Sequence, residues 1–503
     1  MSVPSDGSLS ERTIRAGIWT ILARVTSRGI DFIVLLVLAR LLGPDDFGLV
    51  ATAMTVIYIV EAVLELPLTI VLVRLPEVSD EIYNTAFTLG LIRGLLVAAI
   101  MVSLALPFAS LYEDPRLAKL MCVLSLAPAA RGLSSPRMVI YDRAMDFSRK
   151  GLLEIIGKSL AAIVAISVAF AADNYWAVAA GTISNPLFML IFSYVFAPMW
   201  PNFSLKQWRI FSNIAAWNFV SQVISAVNWQ IDRLILPIYV NTVWFGRFTT
   251  ANDLASLPYQ AIMAPISAPI FAALVNARNR DNFQKAYLTV SCGILMLMAP
   301  VMCFIGMMAD PIIKLILGSE WYGAIPILTA VSLLNVVYLP TIALAPLVMA
   351  LDRPRLIAMR AAIELAIRLP LTILAIMFYG IMGAIAARFS TALILLIVDV
   401  HFIRSASSIR IRDQFYSAVF VFLSLVPACL SIWEFQGSLQ ALAGNIGAIL
   451  LGGVVFVSLY IGSLFLSWLV RGKPDSAERR VSLGALNVLS RTVRTASTSS
   501  NQQ

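Results

Sequence analysis

The chain has 503 residues, 59% of them hydrophobic and 13% charged, with a mean hydropathy of +0.85. Soluble domains carry about a quarter charged residues, so a soluble globular protein is excluded, and the short segments of alternating polarity that mark a transmembrane barrel are missing. The formal charge of +9 falls in loops between apolar segments, where it reads as a topology signal and not as a nucleic-acid footprint.

Residues 1–13 are polar. The first apolar segment, 14–42, is too long and too charged for a cleaved signal, so it is expected to stay as the first span with the N-terminus inside. Further spans are predicted at 47–73, 82–111, 116–140, 152–172, 175–198, 211–240, 246–275, 287–309, 322–351, 356–379, 381–403, 415–434 and 443–470, about 14 in all, each long enough to cross the hydrocarbon core. The loops after spans 4, 8, 10 and 12 hold Arg143, Arg149, Lys150, Arg278, Arg280, Lys285, Arg353, Arg355, Arg404, Arg410 and Arg412. The opposite loops are short and poor in lysine and arginine, which places both termini in the cytoplasm. From Lys473 a basic tail rich in serine and threonine follows, expected to be disordered, with Val481 to Leu489 as an alternative surface helix. Cys122, Cys292, Cys303 and Cys429 lie apart in apolar stretches and read as core residues, with no metal set. No cofactor is implied.

A dozen ionisable residues fall inside the apolar segments. Each would cost roughly 3 kcal/mol facing lipid at mid-bilayer, on the order of 30 kcal/mol together, so they must face one another or a wet cavity. Arg24, Arg28 and Asp31 share one face of span 1, Glu61 and Glu65 one face of span 2, and Arg93 lies within span 3. Asp232, Arg233 and Asp253 lie toward the outer side of spans 7 and 8, Glu364 and Arg368 are one turn apart in span 11, and Arg388 is in span 12. Arg28 with Asp31, and Glu364 with Arg368, read equally as pairs within a helix or as part of a site. Glu154 and Lys158 read as snorkelling residues. Arg24, Arg93 and Arg388 have no partner nearby in sequence. Arginine at depth points to an anionic ligand, since guanidinium grips phosphate in a forked geometry. Glu61, Glu65 and Asp253 are candidates for ion coupling, and the two glutamates serve equally as counter-charges or sugar-hydroxyl acceptors.

The chain also matches itself at a shift of 198 residues. Trp19 meets Trp217, Ser27 meets Ser225, Phe47-Gly48 meets Phe245-Gly246 and Pro67 meets Pro265; Asp142-Arg143 has a counterpart in Asp352-Arg353 at a slightly larger shift. Six spans per half make the repeat parallel, a transporter plan. The expected organisation is an N-lobe at 14–200, a C-lobe at 201–405 and two extra spans within 406–470, followed by the tail at 471–503.

The stretch Leu38-Ala-Arg-Leu-Leu-Gly-Pro-Asp-Asp-Phe-Gly48, running on to Thr55, resembles the first-to-second-span region of Wzx-like bacterial polysaccharide flippases. These belong to the superfamily that also holds multidrug extruders and the lipid II flippase. The Asp352-Arg353 loop fits the same resemblance, which covers roughly residues 10 to 470. It implies an all-α polytopic fold of two six-helix lobes around a cationic central cavity. It also implies flipping of an undecaprenyl-diphosphate-linked oligosaccharide across the bacterial inner membrane. Membrane lipids, and beyond them a polysaccharide polymerase and export machinery, are the partners it implies. On this reading Arg24, Arg28, Asp31, Glu61, Glu65, Arg93, Arg233, Arg368 and Arg388 are cavity residues. A cation-coupled drug extruder of the same fold is the alternative, against which the arginines argue. A polymerase or ligase is the second, but no large loop or nucleophile–base set supports an enzyme.

Overall fold

The computed structural model describes residues 9–144, 146–278 and 282–471, without the side chains of 9–18, 20–21, 147, 212–222, 264–265, 268 and 417. The tail with its Val481–Leu489 stretch lies outside the described residues, as do the side chains of Trp217 and Pro265. Every regular element among the described residues is helical. Lipid offers the backbone no hydrogen bonds, so apolar segments of this length must satisfy their own amides.

Helix α1 (Leu9–Leu41) turns through Leu42 and Gly43 into α2 (Pro44–Val63). Proline in the first turn and Asp45 and Asp46 beside it suit a helix start, which lacks amide acceptors and carries a positive dipole end. Then follow α3 (Leu68–Arg74), α4 (Asp80–Leu111), α5 (Arg116–Leu124), α6 (Leu126–Gly132), α7 (Val139–Arg143), α8 (Phe147–Ala172), α9 (Trp176–Phe196), α10 (Trp208–Tyr239) and α11 (Thr242–Arg278). The chain continues through α12 (Phe283–Met307), α13 (Ala309–Ile316), α14 (Ile325–Tyr338), α15 (Leu344–Ala350), α16 (Arg355–Ser407) and α17 (Ile411–Val470).

Helices α16 and α17 run for 53 and 60 residues. Straight, they would reach about 80 and 90 Å at 1.5 Å per residue, against about 30 Å of hydrocarbon. Each is broken at a glycine in a conformation closed to other residues, Gly380 (φ 54°) and Gly444 (φ 67°). The break at Gly380 falls on the boundary expected at 379/381, and that at Gly444 lies just inside the start of the span expected at 443–470.

All the expected spans fall on helices, but among the described residues eight helical stretches qualify as membrane spans by length and apolarity, or nine when the pair Arg116–Gly132 and Pro136–Arg143, bent by 56°, is one. The count of 14 is therefore not reached by these criteria. Each of α16 and α17 counts as one stretch although each is broken into two arms. Helix α1 carries Arg24, Arg28 and Asp31 within its apolar length.

The helices form two compact units. The first comprises Met1–Thr250, Ile316–Trp321 and Leu365–Ala384, the second Ala251–Leu315, Tyr322–Glu364 and Ile385–Gln503. In the first, Leu49, Ala53 and Ile57 of α2 pack on Val97 and Met101 of α4, Leu117 and Leu120 of α5 and Ala179 of α9. In the second, Leu295, Met298 and Met302 of α12 pack on Leu347 of α15 and on Val421, Leu425 and Phe456 of α17. Tyr460 ties that core by donating to the Met296 carbonyl at 3.0 Å. Cys292 and Cys303 lie in this core as expected, whereas Cys122 faces outward on α5. Leu106, Phe170, Phe378 and Leu442 are also exposed, an apolar surface that only a lipid solvent accommodates.

Candidate functional site: charged seams within the helices

In the first unit, α1 and α8 meet along a polar seam. Lys158 donates to Asp31 Oδ2 at 2.7 Å, and Arg28 reaches the same oxygen at 3.6 Å. One turn earlier Ser27 donates to Glu154 Oε1 at 2.8 Å. Glu154 and Lys158 thus do not snorkel: they bind α1, because α8 presents them to the charged face of that helix. Arg28 is exposed, and Arg24 is exposed with no polar contact among the described residues.

A second seam joins α2, α4 and α6. Arg131 holds Glu61 with Nε and Nη2 at 3.0 and 2.6 Å. Arg93 donates through Nη2 to the Glu61 carbonyl at 3.1 Å, while its buried Nε has no partner among the described residues. Glu65 is exposed one turn on. The third seam pairs α10 with α16: Arg368 donates to Asp232 Oδ2 at 2.6 Å and to the Asn228 carbonyl at 2.9 Å. Asp232 is fully buried and Arg368 nearly so. Arg233, the neighbour of Asp232, is half-buried.

Helices α2 and α11 meet in a reciprocal crossing. A Cβ built on Gly48 would stand 2.0 Å from the Thr242 carbonyl oxygen, and one on Gly246 would stand 1.8 Å from that of Pro44. Only glycine fits at either place. Thr242 and Gly246 follow Pro44 and Gly48 by the same 198 positions as the sequence repeat, so the two Phe-Gly motifs pack on one another as equivalents. Around the crossing, Thr242 donates to Asp45, and Arg116 donates to Asp45 Oδ2 at 2.8 Å. The indole of Trp321 donates to the Ala39 carbonyl at 2.9 Å and stands edge-on to Phe47 at 5.3 Å. Arg247 donates to the Glu320 carbonyl at 2.7 Å.

In the second unit, Arg388 donates to Asn252 Oδ1 at 2.7 Å, and Asp253 beside it is exposed. Arg360 bridges Glu364 and Asp399 at 3.0 and 2.8 Å. Glu364 thus has an in-helix partner on the N-terminal side, Arg360, and Arg368 binds Asp232 of another helix.

Residues 37–326 match the family described as polysaccharide biosynthesis protein, more than half of the chain. The chain belongs to this family. It is 25% identical over 320 residues to the succinoglycan biosynthesis transport protein ExoT of Rhizobium meliloti (strain 1021), covering 63% of this chain and 64% of that protein. It is 21% identical over 334 residues to the lipopolysaccharide biosynthesis protein WzxC of Escherichia coli (strain K12), covering 64% and 66%. In both cases the chain spans just under two thirds of the relative. The fold is that of the lipid II flippase MurJ in an inward closed conformation, with a TM-score of 0.69 at 18% identity over 91% of this chain and all of that one. A MATE transporter in the bent conformation is similar more distantly, with a TM-score of 0.51 at 16% identity over 82% of this chain and 98% of that one.

Within this polysaccharide biosynthesis family member, the seams separate the expected site residues into groups. Asp31 with Arg28, Glu61 with Arg93, and Asp232 with Arg368 are each brought together; no contact among the described residues joins Arg24 to any of them. Sequence reasoning missed Lys158, Arg131, Arg360 and Asp399 as partners. A signal for Asp399 was available: it interrupts the apolar run Ala392 to Val400, where an isolated carboxylate needs a counter-charge.

Proposed function

We propose that the chain flips an undecaprenyl-diphosphate-linked oligosaccharide between the leaflets of the bacterial inner membrane for exopolysaccharide or lipopolysaccharide assembly. It is a transporter and not an enzyme. The carrying observation is guanidinium capacity left over inside apolar helices: Arg24 and Arg28 are exposed, and the buried Nε of Arg93 has no described partner. A diphosphate or an acidic sugar is the ligand that satisfies forked donors. Arg233, Arg368 and Arg388 belong to the same candidate set, with Arg368 serving mainly to neutralise Asp232. The prenyl chain stays in lipid, where burying it needs no protein cavity.

In this reading 14–200 and 201–405 are the two lobes, their relative rocking alternates access, and both termini are cytoplasmic. The crossing at Gly48 and Gly246 then closes the outer end. Glu61, Glu65 and Asp253 remain candidates for ion coupling, the Glu61 carboxylate being bound by Arg131. A polymerase and the export machinery would receive the flipped unit. Reversing Arg28 or Arg93 to glutamate is expected to abolish polysaccharide export while the protein stays in the membrane. Unchanged export in both variants would remove the arginines from the site.

A further inference from the structure

The first unit holds an open cavity of about 690 Å³ whose lining shares no residue with the charged seams. Small-molecule sites span roughly 300–1,000 Å³. Asp80, Tyr83 and Asn84 come to it from the start of α4, Arg137 from the turn before α7, Tyr194 from α9, and Trp200 from the segment that follows α9.

Three successive carbonyls at the end of α9 are pinned by side chains. Tyr141 donates to that of Phe196 at 2.6 Å, Ser135 Oγ to that of Ala197 at 2.8 Å, and Arg137 to that of Pro198 at 3.2 Å. Arg137 also donates to Asp80 and lies over the Tyr83 ring, 5.7 Å from its centroid. Asn84 Oδ1 accepts from the Asn202 amide at 3.1 Å. Between these bonds, Pro198 and Pro201 have a fixed φ, so the rim is stiff. Trp200, between the two prolines, is 95% exposed. A fixed backbone thus holds an indole in the open beside a cavity.

We propose that this cavity is a carbohydrate site, with Trp200 as the face on which a sugar ring stacks and Asp80, Asn84 and Arg137 as partners of its hydroxyls. A sugar ring has apolar C–H faces and an edge of hydroxyls that both donate and accept. An indole plane matches the faces, and a carboxylate, an amide and a guanidinium match the edge. The Asp80 side chain is 80% exposed, so its oxygens keep acceptor sites beyond the bond from Arg137. Charge argues against a phosphate headgroup. Asp80 neutralises Arg137, and Glu81 neutralises Lys206 at 3.0 Å. Arg143, also near Tyr83, gives its donors to the carbonyls of Leu72, Leu75 and Pro76. No fork of free donors is left for an anion. An acyl chain fits no better, since it would cover these polar groups without bonding them. In the topology proposed above, residues 80, 137 and 200 all lie on the cytoplasmic side, where the cargo is taken up. There the cavity receives the oligosaccharide before it enters among the helices. That use rests on the flippase reading; sugar binding itself does not.

The test is saturation-transfer difference NMR on the full chain in phosphatidylcholine nanodiscs. The probe is the water-soluble oligosaccharide released by mild acid from the lipid-linked pool of the native host. Its ring protons should receive saturation from the wild type. Trp200→Ala should weaken the apparent affinity by about tenfold or more, the loss expected of one aromatic anchor, and Asp80→Ala should weaken it as well. Trp200→Phe, which keeps a flat ring, should recover most of the loss. Both altered side chains are exposed, so the fold survives their removal. No sugar signal from the wild type, or an affinity unchanged in either alanine variant, would overturn the proposal and leave Trp200 an interfacial anchor. So would displacement of the sugar by an equal concentration of sn-glycerol 1-phosphate, which would assign a lipid headgroup. Trp200-dependent binding, in a host whose deletion strain keeps its lipid-linked pool unchanged, would remove the flippase reading and leave the cavity. An inward-facing pool without such binding would remove the cavity alone.

Discussion

Asp232 and Arg368 form the most enclosed ion pair among the described residues, their side chains 0% and 10% exposed at 2.6 Å. Removing one partner of such a pair leaves a buried charge unpaired, at about 3–5 kcal/mol. Arg368→Ala should therefore lower the thermal unfolding midpoint in detergent clearly, and Asp232→Ala with Arg368→Leu should recover most of the loss. Arg24→Ala should do the opposite: it leaves the melting curve unchanged and weakens export, because Arg24 is exposed and supports no described contact. The presence and depth of these charges were legible in the sequence, since a charged residue inside an apolar run must be compensated. Their partners were not. Glu154 and Lys158 look like end-of-span residues until α8 is laid on α1, and nothing near Arg368 in the sequence points to Asp232 on α10. Partner choice depends on which faces of distant helices meet, and hydrophobic periodicity does not encode that.

For helices, the crossing of α2 and α11 makes the sharpest demand. Valine at Gly48 or at Gly246 would drive a side chain into a carbonyl oxygen on the facing helix, so both substitutions should abolish export to a similar degree. Alanine at Gly29 or Gly293, where an added Cβ meets nothing within 4 Å, should leave export intact; a loss there as large as at Gly48 would deny the crossing its role. If the crossing must open during transport, cysteines at Asp45 and Thr242 should cross-link on oxidation, stop export and release it on reduction. The Phe-Gly repeat was readable because close helix approach admits glycine alone. Its meaning as a reciprocal contact was not, since a shift in sequence does not say that equivalent positions touch. The breaks at Gly380 and Gly444 were readable as boundaries between apolar runs.

At the scale of the molecule, an all-helical chain of the polysaccharide biosynthesis family, with the fold of a lipid flippase, carries arginines where lipid alone would exclude them. Fold class and family were legible from composition, the loop charges and the stretch Leu38–Gly48. Which sugar the proposed flippase would carry is not written in any of these, because hydroxyl recognition depends on side-chain positions that no short motif specifies. The most direct measurement is the lipid-linked oligosaccharide pool in a deletion strain of the native host, with its leaflet read by an impermeant glycosidase. The account predicts that oligosaccharide accumulates in a protected, inward-facing form while surface polysaccharide is lost, and that Arg28→Glu reproduces this. A pool of unchanged size and orientation, together with raised drug sensitivity, would contradict it.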